Sequence, residues 1–235
     1  MVESNSEKIE VFRKFGVINE AKKLLKPYPE MDADIEEALK REEATELSTW
    51  DLVFLLKHQN KLCDKCGKCC RMQSTILVTQ ADLARMADYL HIPYKKLKKK
   101  LKLIPRKDGG FFLEGKPCPF LKGNKCSIYE VCPLVCRTYP ANYIITSAAN
   151  GKTPKLDFEC GVIRKLFAWK IATATAIIRA EKEDPELVES MRSEAQKLWD
   201  VFMPNEEEME KMSLEEQLVY LNKWTNIFQQ IFGKI

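Results

Sequence analysis

The chain has 235 residues, 45% of them hydrophobic and 31% charged, with a formal net charge of +4. That composition supports a buried core, and a charge this mild names no partner by itself. The polar, acidic start from Met1 to Glu7 is not a secretory signal, and the most apolar stretch, Phe167 to Ile178, is short and interrupted by Lys170. The expectation is a soluble, cytoplasmic protein with no membrane contact.

In chain order, residues 1–60 read as helices. Ile9, Phe12, Val17, Ile18, Ala21, Leu24 and Leu25 give a loose apolar stripe that ends near Pro27 and Pro29. Asp34 is positioned to cap a helix carrying Ile35, Ala38 and Leu39. Ser48-Thr49-Trp50-Asp51 is a start signal before Leu52, Leu55 and Leu56. That helix delivers the chain into Cys63-Asp64-Lys65-Cys66-Gly67-Lys68-Cys69-Cys70.

Beyond this cluster, the β-branched run Ser74–Val78 predicts a strand, and Thr79 to Asp82 starts a helix with Leu83, Met86, Ala87 and Leu90 on one side. Pro93 opens a second helix carrying Tyr94, Leu97, Leu101 and Ile104 opposite Lys95, Lys96, Lys98, Lys99, Lys100 and Lys102. This lysine face reads as a solvated surface, with a site for phosphate backbones or an acidic partner as the competing reading. Nucleic acid is not the expected partner, because no base-stacking aromatic interleaves the lysines. Asp108-Gly109-Gly110 before Phe111-Phe112-Leu113 predicts a hairpin. Residues 115–140, rich in proline and cysteine, read as irregular, and Tyr143–Thr146 as a further strand. Asp157 starts a long, central helix containing Cys160. Asp184-Pro185 opens another, with Leu187, Met191, Ala195, Leu198 and Phe202 as a core stripe. Ser213 to Glu216 is a capping box before Leu218, Leu221, Trp224 and Phe228.

All nine cysteines fall between Cys63 and Cys160. Thiolates at i, i+3 and i+6 in a tight loop can converge on one metal, and Gly67 supplies a backbone position without Cβ sterics. Lys65, Lys68 and Arg71 lower thiol pKa and offset thiolate charge. In a reducing compartment such a pattern binds metal rather than forming disulfides. Histidine is nearly absent, and an all-thiolate set suits zinc or an iron–sulfur cluster. The spacing of Cys63, Cys66 and Cys69 matches the first three ligands of a bacterial ferredoxin run, with a fourth from downstream. Adjacent side chains diverge, so Cys69 and Cys70 are not expected to reach the same metal atom.

The pieces Cys63-x-x-Cys66-Gly67-x-Cys69-Cys70, Cys118-Pro119-Phe120-Leu121, Cys126-Ser127-Ile128-Tyr129 and Pro133 to Pro140 occur in order. In these the sequence resembles the zinc- or iron-chelating cysteine-cluster family named for its CxxCxxCC motif, over roughly residues 60–160. The family has arginine where this chain has Cys132, so Cys132 is read as the odd thiol. The family includes proteins similar to flagellin lysine N-methylases. The resemblance therefore implies a metal-cluster domain and, more distantly, an iron–sulfur oxidoreductase or an S-adenosylmethionine-linked protein lysine methylase.

The resulting expectation is a mainly α protein, a helical bundle around a small, irregular, cysteine-rich middle with little β. It divides into an N-terminal helical segment (1–60), a metal-cluster domain (61–160) and C-terminal helices (161–235) packed into the same domain. Cys63, Cys66, Cys69, Cys70, Cys118, Cys126, Cys136 and Cys160 form the expected ligand pool for a 4Fe–4S cluster, with zinc as the alternative. Arg137 and Tyr139 are the candidate cofactor contacts. A protein or small-molecule substrate is the expected partner of an enzyme; a non-catalytic structural or electron-transfer protein is the competing reading.

Overall fold

The computed structural model describes residues 4–73, 75–202, 204, 206–212, 216–217, 219–220 and 223. The chain is mainly α with little β. It divides into two compact units, residues 58–144 and residues 1–57 with 145–235. The first contains 17 Lys and Arg against 6 Asp and Glu, a net +11; the second contains 21 against 28, a net −7.

The chain begins with α1 (Asn5–Lys14), whose first turn is closed reciprocally by Ser4 and Glu7. Gly16, at φ 73°, splits the predicted stripe and starts α2 (Val17–Leu24). Short helices α3 (Ile35–Ala38) and α4 (Glu42–Thr45) follow. Asp34 does not cap α3 with its side chain. Its buried carboxylate instead takes a hydrogen bond from Lys182 Nζ at 2.7 Å. At α5 (Thr49–Leu62) the expected signal operates: the Ser48 N–H donates to Asp51 Oδ2 at 2.7 Å, and the Asp51 N–H donates to Ser48 Oγ at 3.3 Å.

The basic unit holds α6 (Lys68–Met72), β1 (Thr75–Val78), α7 (Gln80–Tyr89), α8 (Tyr94–Lys100), β2 (Leu103–Pro105), β3 (Phe111–Glu114), the two-residue strands β4 (Leu121–Lys122) and β5 (Lys125–Cys126), and α9 (Leu134–Arg137). The first three strands form an antiparallel sheet of order β1-β3-β2, with Ile76 opposite Leu113 and Leu103 opposite Leu113 on its other side. Its inner face carries Ile76, Val78, Phe111 and Leu113. These pack with Leu83, Met86 and Ala87 of α7, Leu97 of α8, and with Phe120, Ile128, Cys118 and Cys132. The core of this unit is thus partly built of cysteine. Ile104 belongs to β2 rather than to α8, because the chain turns extended at Leu101. The segment expected to be irregular holds the small β4–β5 hairpin and single helical turns.

Crossing into the acidic unit, α10 (Ala141–Ala149) replaces the predicted strand at Tyr143–Thr146. Ala141 and Ile144 are buried one helical turn apart, so the local apolar run belongs to a 3.6-residue period. Next come α11 (Gly161–Glu183), α12 (Pro185–Phe202) and α13 (Glu206–Lys211). Cys160 is the N-cap of α11 rather than a residue within it. The helix buries Val162, Ile163, Leu166, Phe167, Ile171 and Ile178, and packs on α2, α3, α4 and α12. Rings of Phe12 and Phe167 lie 5.1 Å apart, with Phe158 against both. Asp184 caps α12, accepting from the Leu187 N–H at 2.9 Å. The stripe expected there is not fully core: Leu187 and Met191 are 55% and 56% exposed. The capping box at 213–216 and its stripe lie outside the described residues.

Candidate metal centre

The cysteine loop begins where α5 ends, with the Cys63 N–H bonded to the Gln59 carbonyl at 2.9 Å. Two left-handed residues follow, Lys65 at φ 52° and Gly67 at φ 69°. Gly67 answers a double requirement. Its φ favours glycine, and a Cβ there would lie 2.5 Å from the Asn124 carbonyl oxygen. The loop therefore lies directly on the β4–β5 turn, where Arg71 Nη1 donates to Asn124 Oδ1 at 3.0 Å. The chain then enters α6, which carries Cys69 and Cys70.

Cys118 reaches the same place from the other side of the sheet insert. Its N–H donates to the Cys70 carbonyl at 2.8 Å, and the β4–β5 hairpin, pairing Leu121 with Cys126, brings the third segment in. The thiol of Cys70 interacts by hydrogen bonding with those of Cys118, Cys126 and Cys69. Adjacent Cys69 and Cys70 thus do meet. Because three neighbours compete for the Cys70 proton, that thiol is held far above its ordinary value. Hydrogen bonding to Cys70 lowers Cys69, Cys118 and Cys126 to about 7 each. Thiols so lowered supply thiolate near neutrality, the form that ligates metal.

Cys132 and Cys136 stand beside this group. Burial, and then the neighbouring thiols, push Cys132 up to about 12 and Cys136 higher still, while the Arg137 guanidinium draws Cys132 down. Asp82 fixes this segment. Besides capping α7 through Thr79, its carboxylate takes the Leu134 N–H at 3.2 Å and Arg85 Nη2 at 2.5 Å. Arg85 in turn reaches the Cys132 carbonyl at 3.4 Å. The capping role of Asp82 is readable in the sequence, but its hold on the cysteine segment is not, since Leu134 lies 52 residues away.

The other expected residues are distributed as follows. Cys63 interacts with the Tyr129 hydroxyl, whose pKa is raised by burial and then by that thiol. Lys65 Nζ lies 4.5 Å from the Tyr129 ring centroid. Tyr129 is the neighbour that ligand counting missed, although it sits in the Cys126–Tyr129 piece. Cys66 is exposed. Cys160 lies in the acidic unit at the start of α11. Arg137 Nε is buried and has no hydrogen-bond partner among the described residues, while Tyr139 packs on Tyr143 at 6.5 Å between centroids.

Chemically, this is a soft, all-sulfur donor set with the half-buried Arg137 at its side, suited to zinc or iron rather than to a hard cation. The thiols gather around Cys70 itself, not around a shared central point. Among the described residues no three Cys, His, Asp or Glu side chains form a closed metal cage.

Residues 62–161 match the family model CxxCxxCC, described as "Putative zinc- or iron-chelating domain". Over 96 residues the chain is 41% identical to the uncharacterized protein MJ0661 of Methanocaldococcus jannaschii, covering 38% of this chain and 48% of that protein. The chain thus spans about half the length of the curated relative it matches. No solved structure matches the chain at a significant level. The convergent cysteines and this match agree that residues 62–161 resemble the CxxCxxCC zinc- or iron-chelating domain.

Proposed function

We propose that the chain is an iron–sulfur protein, with Cys69, Cys70, Cys118 and Cys126 as the central donors and Cys63, Cys66, Cys136 and Cys160 as the wider pool. The observation that carries this reading is the Cys70 thiol in simultaneous contact with three others, two of them from further segments. Zinc, at four tetrahedral ligands, would need no more than these four. A 4Fe–4S cluster likewise takes four thiolates; the ferredoxin-like spacing of Cys63, Cys66 and Cys69 favours it, and Arg137 with the +11 of the unit offsets its negative charge. Redox chemistry on a protein or small-molecule substrate is the activity these thiols support. Lysine methylation with S-adenosylmethionine rests on the distant family resemblance alone.

The test is anaerobic purification followed by iron, zinc and acid-labile sulfide analysis and a visible spectrum. Iron and sulfide in matching amounts, with broad visible absorption, are expected. Cys70→Ser and Cys126→Ser should each lose the metal. Stoichiometric zinc without sulfide rejects the cluster, and full metal in both variants rejects the donor set.

A further inference from the structure

We infer that α7, the turn Leu90–Pro93 and α8 form a helix–turn–helix that binds duplex DNA, with the lysine fan of α8 in the major groove. This is independent of the metal reading and contradicts the expectation that the lysine face is merely solvated.

The turn is built to fix one helix against the other. The His91 N–H donates to the Asp88 carbonyl at 3.0 Å and the Ile92 N–H to the Ala87 carbonyl at 3.1 Å. That pair is a helix-ending motif that normally uses glycine, and His91 takes the left-handed position itself at φ 53°. Leu90 and Ile92 pack on the core, Pro93 caps α8, and Leu97 locks α8 down at 1% exposure. At 100° per residue, Lys95, Lys96, Lys98, Lys99 and Lys100 then span an arc of about 200° centred opposite Leu97. A helix with its side chains is about 10–12 Å across, and the major groove is about 12 Å wide. Lys96 and Lys100, at one end of the arc, face one phosphate wall, while Lys98 at the other end lies with its Nζ 4.6 Å from the Phe111 ring centroid. Lysines at the centre of the arc face the groove floor. A helix–turn–helix presents its second helix in this way.

Charge supports the same partner. From Tyr89 to Lys107 there are eight Lys and Arg and no Asp or Glu. Among the described residues, Lys95, Lys96, Lys99 and Lys100 are exposed and take part in no ion pair. The β2–β3 hairpin adds exposed Lys107 near its tip, beside Arg106, which is held by Asp108 at 2.7 Å and by the Phe112 ring at 4.5 Å. The missing base-stacking aromatics do not count against a duplex, whose bases are already stacked. An anionic bilayer could attract the same lysines through charge alone, but Leu97, at 1% exposure, is turned into the core and is no membrane anchor. α8 has no arginine to fork a planar carboxylate or phosphate, so its charge acts as separate points spread along the helix. Lysine point charges suit phosphates and give weak sequence preference.

The experiment uses the full chain, purified without oxygen, and fluorescence anisotropy with a fluorescein-labelled DNA duplex. For about five phosphate contacts, affinity should fall on the order of 100- to 1,000-fold between 50 and 200 mM salt. The variant Lys95→Gln/Lys96→Gln/Lys99→Gln/Lys100→Gln, all surface changes, should bind about 100-fold more weakly at low salt and flatten the log–log salt slope by about 3.6. Lys23→Gln/Lys26→Gln/Lys40→Gln, in the acidic unit, should bind within twofold of the parent. Unaltered circular dichroism and melting temperature in both variants verify folding. The proposal falls if the parent shows no saturable duplex binding, if the α8 variant binds within twofold of the parent, or if vesicles of anionic phospholipid bind and the duplex does not.

Discussion

Lys170 interrupts the most apolar stretch of the sequence and lies buried in the middle of α11. Its ammonium is 2.5 Å from Asp51 Oδ2, a carboxylate that also holds the first turn of α5. Removing one partner of a buried pair leaves the other charge without compensation, at about 3–5 kcal/mol. Lys170→Met should therefore lower the urea stability of the chain by about that amount, and Asp51→Asn/Lys170→Met should recover most of the loss. Equal stability of the two variants would show that Asp51 does not depend on Lys170. The sequence announced Asp51 as a cap through the adjacent Ser48. It was silent on the ion pair, because 119 residues separate the two charges and no local pattern links them. The same limit applied to Asp82, a visible cap whose grip on Leu134 was invisible.

At the scale of elements, local chemistry was the legible part. Thr79 and Asp184 cap their helices as their sequences indicate, and the Asp108–Gly110 hairpin forms where its turn residues sit. What misled was a short apolar run: Tyr143–Thr146 is too brief for periodicity to separate strand from helix. The cysteine loop shows both sides. Its need for a glycine was readable, but the reason for Gly67 in particular is the Asn124 carbonyl that packs onto it. Gly123 supplies a control on the facing hairpin: it is left-handed at φ 57°, and a Cβ there would meet nothing within 4 Å. Gly123→Ala should cost only the left-handed penalty, about 1–2 kcal/mol. Gly67→Ala should cost more and release metal, since the loop must withdraw from the hairpin to accept a Cβ. Thermal melts with metal analysis separate the two; equal losses and equal metal would mean that the contact with Asn124 does not shape the site.

For the whole molecule, a single net charge concealed the organisation. The +4 of the chain is the sum of a +11 unit and a −7 unit, and the boundary that reveals them is set by packing, which composition does not record. The mainly α character was evident from the repeated helical stripes. The placement of residues 58–144 as an interruption of a unit made from two separated stretches of chain was not.

That interruption makes the cysteine-bearing unit a tether. The helical unit folds only by joining residues 1–57 to residues 145–235, so the 87 residues between them form a loop whose ends it must close. A folded insert holds its two ends at a fixed separation. An unfolded one is a random chain, and closing a loop of that length costs up to about 4 kcal/mol in entropy. Metal loss would then reach the helical unit through polymer statistics. The stacked pair Phe54–Trp169, with centroids 4.9 Å apart, lies inside the helical unit and reports on it by fluorescence. Chelation that empties the thiol centre should lower the melting temperature seen by that tryptophan signal. Replacing the insert by a short glycine–serine linker should remove the sensitivity to chelator while leaving the helices folded, because a short tether has little freedom to lose.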